Sequence, residues 1–152
     1  MAAGIKYALA TFCASLALCT SAVQAADVTY ERLLNPEPQN WLTNHHDFGA
    51  HRYSALDIIN KSNVKNLKLA FAIAIGGTSG NENLEATPLV EDGFMYMTDA
   101  WGVVYKIDVR SGDAARIVWR MDPKQAKAPL ANRGVALWGN LVVSVASYPA
   151  RV

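Results

Sequence analysis

The 152-residue chain is 51% hydrophobic and 18% charged, and its 14 basic and 13 acidic side chains leave a net charge of +1. That balance excludes a nucleic-acid surface, which needs clustered Lys and Arg against phosphates. No apolar run of 18 residues follows the first 25, so no membrane span is expected beyond them.

Residues 1–25 have the three regions of a secretory signal peptide: Lys6, the apolar run 7–18, and Ser21-Ala22-Val23-Gln24-Ala25-Ala26, with cleavage expected after Ala25. The strongly apolar part falls short of the roughly 20 residues of a spanning helix. Cys13 and Cys19 both lie in this segment, so the exported chain has no cysteine although it enters a disulfide-permissive compartment. Its stability must come from burial. Leu16-Ala17-Leu18-Cys19 makes a poor lipoprotein site, because a small residue is expected just before the modified cysteine. Cleavage takes Lys6 away and leaves thirteen basic against thirteen acidic side chains.

Residues 26–66 form an irregular N-terminal segment in which two short helices are expected. Thr29 caps a turn through Leu34 that Pro36 ends, and Ser54 with Asp57 resembles a capping box before Ile58 and Ile59. His45, His46 and His51 lie between them. Adjacent histidines point apart in most backbones and no Asp or Cys completes a ligand pattern, so a surface loop is expected rather than a metal site.

From residue 67 the period is two. Leu67, Leu69, Phe71, Ile73 and Ile75 alternate with Lys68, Ala70, Ala72 and Ala74, which predicts a strand ending at Gly76-Gly77. The run Gly76-Gly77-Thr78-Ser79-Gly80 does not open a helix, is no dinucleotide fingerprint, and is taken as a flexible turn. Strands follow over 87–91 and 94–98, joined by Asp92-Gly93, whose type I′ turn is the strongest short hairpin signal. Two more, 103–107 and 117–120, complete a four-stranded antiparallel meander. Tyr96, Trp101, Tyr105, Trp119 and Trp138 are assigned to the sheet core.

The segment 87–96 then recurs at 134–143, turn on turn, with Asp92 over Gly139 and an offset of 47 residues. Propeller blades repeat at about 40–50 residues. The expectation is an all-β chain whose residues 67–152 make one complete blade and the start of the next. On this register Val152 falls on Tyr105, inside a strand, and the residues after Ala25 are too few for the roughly 160 of four blades. The ring is therefore expected to be truncated.

Asn40-Trp41, Arg52-Tyr53-Ser54, Leu56, Ile59, Val64-Lys65-Asn66-Leu67, Glu85-Ala86-Thr87-Pro88-Leu89-Val90 and Asn132-Arg133-Gly134, in this order and spacing, resemble the N-terminal part of the pyrroloquinoline-quinone (PQQ)-dependent alcohol dehydrogenases. The resemblance spans nearly all of the chain after the leader. It implies an eight-bladed periplasmic quinoprotein that oxidises a small alcohol and passes electrons to a cytochrome c. Glu85 and Arg133 fall on that family's quinone-binding glutamate and arginine, and an always-charged bidentate donor suits an anionic tricarboxylate. The repeat sets Asn132 over Glu85 and Arg133 over Ala86, so both charges sit at the entry to the first strand of successive blades.

The resemblance also implies a calcium or lanthanide ion whose ligands, with the catalytic aspartate, lie beyond Val152; no catalytic or metal residue is assigned within this chain. Three departures stand out. No cysteine pair precedes Arg133, where Gln125-Ala126-Lys127-Ala128-Pro129 stands. The docking motif keeps Asp108, Ser111, Gly112 and Trp119, but Lys106 replaces its alanine and Trp119 comes three residues late. A different class, a secreted propeller serving as a binding or scaffold module without cofactor, needs no partnership of Glu85 with Arg133. Each residue alone is an ordinary solvated loop charge.

Overall fold

The computed structural model describes residues 26–76, 83–126 and 131–152. The expected signal peptide of residues 1–25, residues 77–82 with most of the expected glycine-rich turn, and residues 127–130 lie outside these. Among the described residues, no helix is long and apolar enough to cross a membrane.

Helix α1, Tyr30–Leu34, starts where expected: Thr29 is extended and its hydroxyl accepts a hydrogen bond from the Arg32 amide at 3.3 Å. A five-residue helix is unstable alone. Tertiary contacts hold it through Arg32, whose guanidinium meets Glu37 at 2.9 Å, Glu91 at 3.1 Å and Asp92 at 3.5 Å. Asn40, 2% exposed, joins this network by donating to Glu37 (2.8 Å) and Asp92 (3.2 Å) and accepting from the Asp92 amide.

The second helix expected after Ser54 is absent. Ser54 Oγ accepts from the amide of Leu56, two residues on, and the side chains of Asn60 and Asn63 bind backbone groups from Ile58 to Ser62. Such local side-chain bonds compete with helix. Ile58 and Ile59 are 77% and 60% exposed, so no apolar face rewards coiling. A single 3-10 turn, Val64–Asn66, follows instead.

Residues 67–75 are extended but join no ladder among the described residues, which corrects the expected strand. The alternation is nevertheless real from Phe71 on. Ile73 and Ile75 pack on the central sheet while Ala72 and Ala74 face solvent, and Leu67 and Leu69 are exposed. A period of two fixes which side chains share a face; a strand also needs a partner edge.

The central sheet is a meander in sequence order: β1 Leu89–Glu91, β2 Phe94–Thr98, β3 Val104–Asp108 and β4 Arg116–Met121. Asp92 (φ 48°) and Gly93 (φ 79°) form the predicted hairpin turn. Cross-strand pairing sorts the side chains into two faces. One carries Leu89, Tyr96, Lys106 and Trp119. The other carries Val90, Met95, Ile107 and Ile117, with Met97 and Tyr105, and receives Ile73 and Ile75.

Between Ile117 and Trp119 the register slips by one residue, leaving Val118 unpaired as a bulge. The bulge absorbs one of the extra residues before Trp119 and turns its ring onto the face of Lys106. Trp119 is 37% exposed there, and Trp138 is 52% exposed, so neither belongs to the core as expected. Tyr96 and Tyr105 do, each 4% exposed, and Trp101 is half-buried.

Hairpin β5 Ala136–Trp138 and β6 Leu141–Val143 pairs Ala136 with Val143, Leu137 with Val142 and Trp138 with Leu141. Shifted back by 47 residues, these are the three pairs of β1 with β2. The repeat is thus conserved in register, which low identity could only suggest. A last short pair, β7 Ala146–Ser147 and β8 Ala150–Arg151, follows.

Stacking follows from parity. Leu89 and Tyr96 of the first sheet meet Leu137, and Val142 packs alongside, from the opposite face of the second hairpin. Trp138 and Leu141, on the other face, remain exposed. Segment 26–42 straps the two repeats together. Val28 bridges Gly139 at the second turn, Trp41 bridges Val90 in the first repeat, and Val28 and Leu42 fill the core between them.

Candidate functional site

In a meander the entry of β1, the exit of β2, the entry of β3 and the exit of β4 share one end of the sheet. The sequence-assigned pair lies at that end. Glu85 precedes β1 and Arg133 precedes β5, and Arg133 Nη2 stands 3.1 Å from Glu85 Oε2. Two residues 48 positions apart are therefore brought together by stacking one repeat on the next.

The Arg133 side chain is 81% exposed and that of Glu85 31%. An exposed ion pair contributes only about 0–1 kcal/mol to stability, so the pair is not explained as a fold determinant. Guanidinium has five N–H donors in a rigid fork. With one edge toward Glu85, the remainder suits a planar carboxylate.

The backbone beneath is held closely. The Thr87 amide donates to the Arg133 carbonyl at 3.4 Å. Gly134 has φ +115°, and a Cβ there would lie 3.2 Å from the Thr87 carbonyl oxygen, so only glycine allows this approach. Asn132 and Thr98 also converge on this end, joined at 2.8 Å. The sequence reading gave them no role; the signals were a polar Thr closing an otherwise apolar strand and the place of Asn132 beside Arg133 in the matching motif.

On the same end an open cleft of about 490 Å³ is lined by Asp99, Trp101, Tyr105, Arg120, Asp122 and Lys124. Its buried acid is spent on structure. The Asp99 carboxylate accepts from the amides of Trp101 (2.9 Å) and Val103 (3.0 Å) and from the Tyr105 hydroxyl (3.3 Å). Burial pushes the Tyr105 phenol above its ordinary pKa. Both cations of the cleft pair with Asp122.

The histidines serve the loop. His51 pairs with Asp47 at 2.9 Å, His45 accepts from Arg52 at 3.0 Å, and His46 lies against the Trp41 ring. Among the described residues there is no group of three or more His, Cys, Asp or Glu arranged to hold a metal ion.

A four-stranded meander followed 47 residues on by a hairpin of the same register stacked on its face is the repeat arrangement of a β-propeller. Residues 41–151 match the family model described as "PQQ: Glucose/ethanol/alcohol dehydrogenase, beta-propeller domain". The chain belongs to this family. It is 39% identical over 129 residues to the quinohemoprotein alcohol dehydrogenase of Comamonas testosteroni, covering 80% of this chain and 17% of that protein. The structure of quinohemoprotein alcohol dehydrogenase ADHIIG from Pseudomonas putida superposes with a TM-score of 0.70 at 33% identity, over 80% of this chain and 18% of that one. A europium-containing methanol dehydrogenase gives a TM-score of 0.64 at 29% identity, over 76% and 21%.

Proposed function

We propose that this chain forms the opening part of an eight-bladed, PQQ-dependent dehydrogenase that oxidises the CH–OH group of an alcohol, and that Glu85 and Arg133 hold one carboxylate of the quinone. The observation that carries this reading is the 3.1 Å contact of Glu85 with an exposed Arg133 across one repeat. Arg133 would bind the carboxylate through two parallel N–H donors, and Glu85 would orient the guanidinium and offset part of its charge. When bound, the quinone supplies the two-electron acceptor.

Export to the periplasm after loss of residues 1–25, a cytochrome c as electron acceptor, and a calcium or lanthanide ion against the quinone complete the proposal. The signal-peptide pattern of residues 1–25 motivates the first, a relative named 1-butanol dehydrogenase (cytochrome c) supports the second, and the europium-containing neighbour supports the third. A hard cation takes about six or more oxygen ligands. The chain is proposed to supply the clamp alone, with metal ligands and the base provided by further blades, and to be inactive by itself.

Titration of the 152-residue chain with PQQ, followed by quenching of tryptophan fluorescence, tests the clamp. Arg133→Ala should weaken binding roughly 10- to 100-fold, the loss expected for a hydrogen bond to a charged group. Equal affinity in the wild type and the variant would overturn the assignment and favour a cofactor-free binding module.

A further inference from the structure

We infer that Asn132 is a positioning residue for Arg133, a role that rests on the reading in which Arg133 holds the quinone. An arginine whose side chain is 81% exposed is placed by its backbone and, among the described residues, by Glu85. That backbone is held by the Thr87 amide, which donates to the Arg133 carbonyl, and by the side-chain amide of Asn132. Asn132 Oδ1 accepts from the Gly134 amide at 2.9 Å, closing a turn around Arg133, and from the Thr98 hydroxyl at 2.8 Å. Asn132 Nδ2 donates to the Val145 carbonyl at 3.2 Å.

The three bonds reach three places: the exit of β2 in the first repeat, the entry of β5, and the chain just after β6. Thr98 is fully buried, so its hydroxyl needs the acceptor that Asn132 provides. The Gly134 amide on the oxygen and a carbonyl facing the nitrogen fix the amide's orientation; a flipped amide would lose both of those bonds. Space is reserved for it as well. Gly102 has φ +76°, and a Cβ there would lie 3.1 Å from Asn132 Nδ2.

Glu85 belongs to the first repeat and Arg133 to the second, so their separation depends on how the two sheets are locked at this end. Asn132 spans the seam beside Arg133, while Gln125 spans it farther along, between the Trp101 carbonyl and the Ser147 amide. Asparagine suits the place chemically. Aspartate would keep the acceptor but set a second anion against the Val145 carbonyl, while alanine would remove all three bonds.

The test is a double-mutant cycle on PQQ affinity in the 152-residue chain, with thermal unfolding recorded for every variant. Asn132→Ala should weaken binding roughly three- to tenfold, the range of coupling between neighbouring groups. Thr98→Val, which deletes one bond, should act in the same direction and less. The N132A/R133A double variant should bind no more weakly than R133A, because Asn132 acts through Arg133. Wild-type affinity in both N132A and T98V, or losses that add in the double variant, would overturn the inference while leaving the clamp intact. If R133A itself binds as the wild type does, the clamp fails and the positioning role falls with it. Should N132A not fold, T98V and the T98V/R133A pair carry the same decision.

Discussion

Arg32 shows how much one side chain settles. It is 14% exposed and faces three carboxylates, of which Glu91 is 8% exposed. Burial pushes the Glu91 carboxyl upward, whereas the hydrogen bond from Arg32 holds Glu37 down at about 2 against an ordinary 4.5. The two therefore act with opposite sign. Glu37 contributes stability that is fully present above about pH 4.5 and lost as the pH falls toward about 2. Glu91 contributes stability at low pH that is lost as the pH rises through its raised folded pKa. Glu37→Gln should accordingly flatten the acid limb of a urea-midpoint series between about pH 2 and 6. Arg32→Met removes the ion-pair partner of buried Glu91, leaving it only the weaker influence of Lys106, and should cost about 3 kcal/mol at neutral pH. The cost should shrink as the pH falls and Glu91 takes up a proton; a pH-independent loss would point to packing alone. None of this network was legible in the sequence, because Arg32 and Glu91 are 59 positions apart.

Among the elements, those the sequence announced most clearly are the ones with local causes. The Asp92-Gly93 turn, the Thr29 cap and the four strands of the meander each follow from backbone preference and side-chain parity within a few residues. The β2–β3 turn adds a demand of its own. Asp99 closes it through two amides, and Gly102 occupies a left-handed conformation against Asn132 and Gln125. Gly102→Ala should cost about 1–2 kcal/mol from the left-handed backbone alone, measurable by chemical denaturation. It should also displace the Asn132 amide and so weaken PQQ binding. The helix expected after Ser54 failed for an equally local reason: asparagine side chains captured the backbone first. Trp119 failed as a core residue because a bulge, which no propensity announces, chose its face.

For the whole molecule, the parity of the two repeats decides stacking. The first sheet is covered on one face by the second hairpin and on the other by Ile73 and Ile75 of an extended segment without a ladder. Local stability should follow that arrangement. In native-state hydrogen exchange of the 152-residue chain, amides of β2 and β3, which lie inside the sheet, should be the best protected. Those of 68–75, whose N–H groups join no ladder among the described residues, should approach unprotected rates, since such groups exchange without any opening of the sheet. Strong protection across 68–75 would mean that the segment finds a strand partner in solution.

The sequence by itself determined the strand periodicity, the hairpin turns and the 47-residue repeat. These are properties carried by neighbouring residues or by comparing one repeat with the next. Only the tertiary structure decided that Glu85 and Arg133 touch, that Asn132 locks the seam between them, and that Arg32 ties the N-terminal strap to the first hairpin. Each of those depends on how two separately formed elements pack. Packing distance and orientation are set by burial across the chain, which no local pattern of residues encodes.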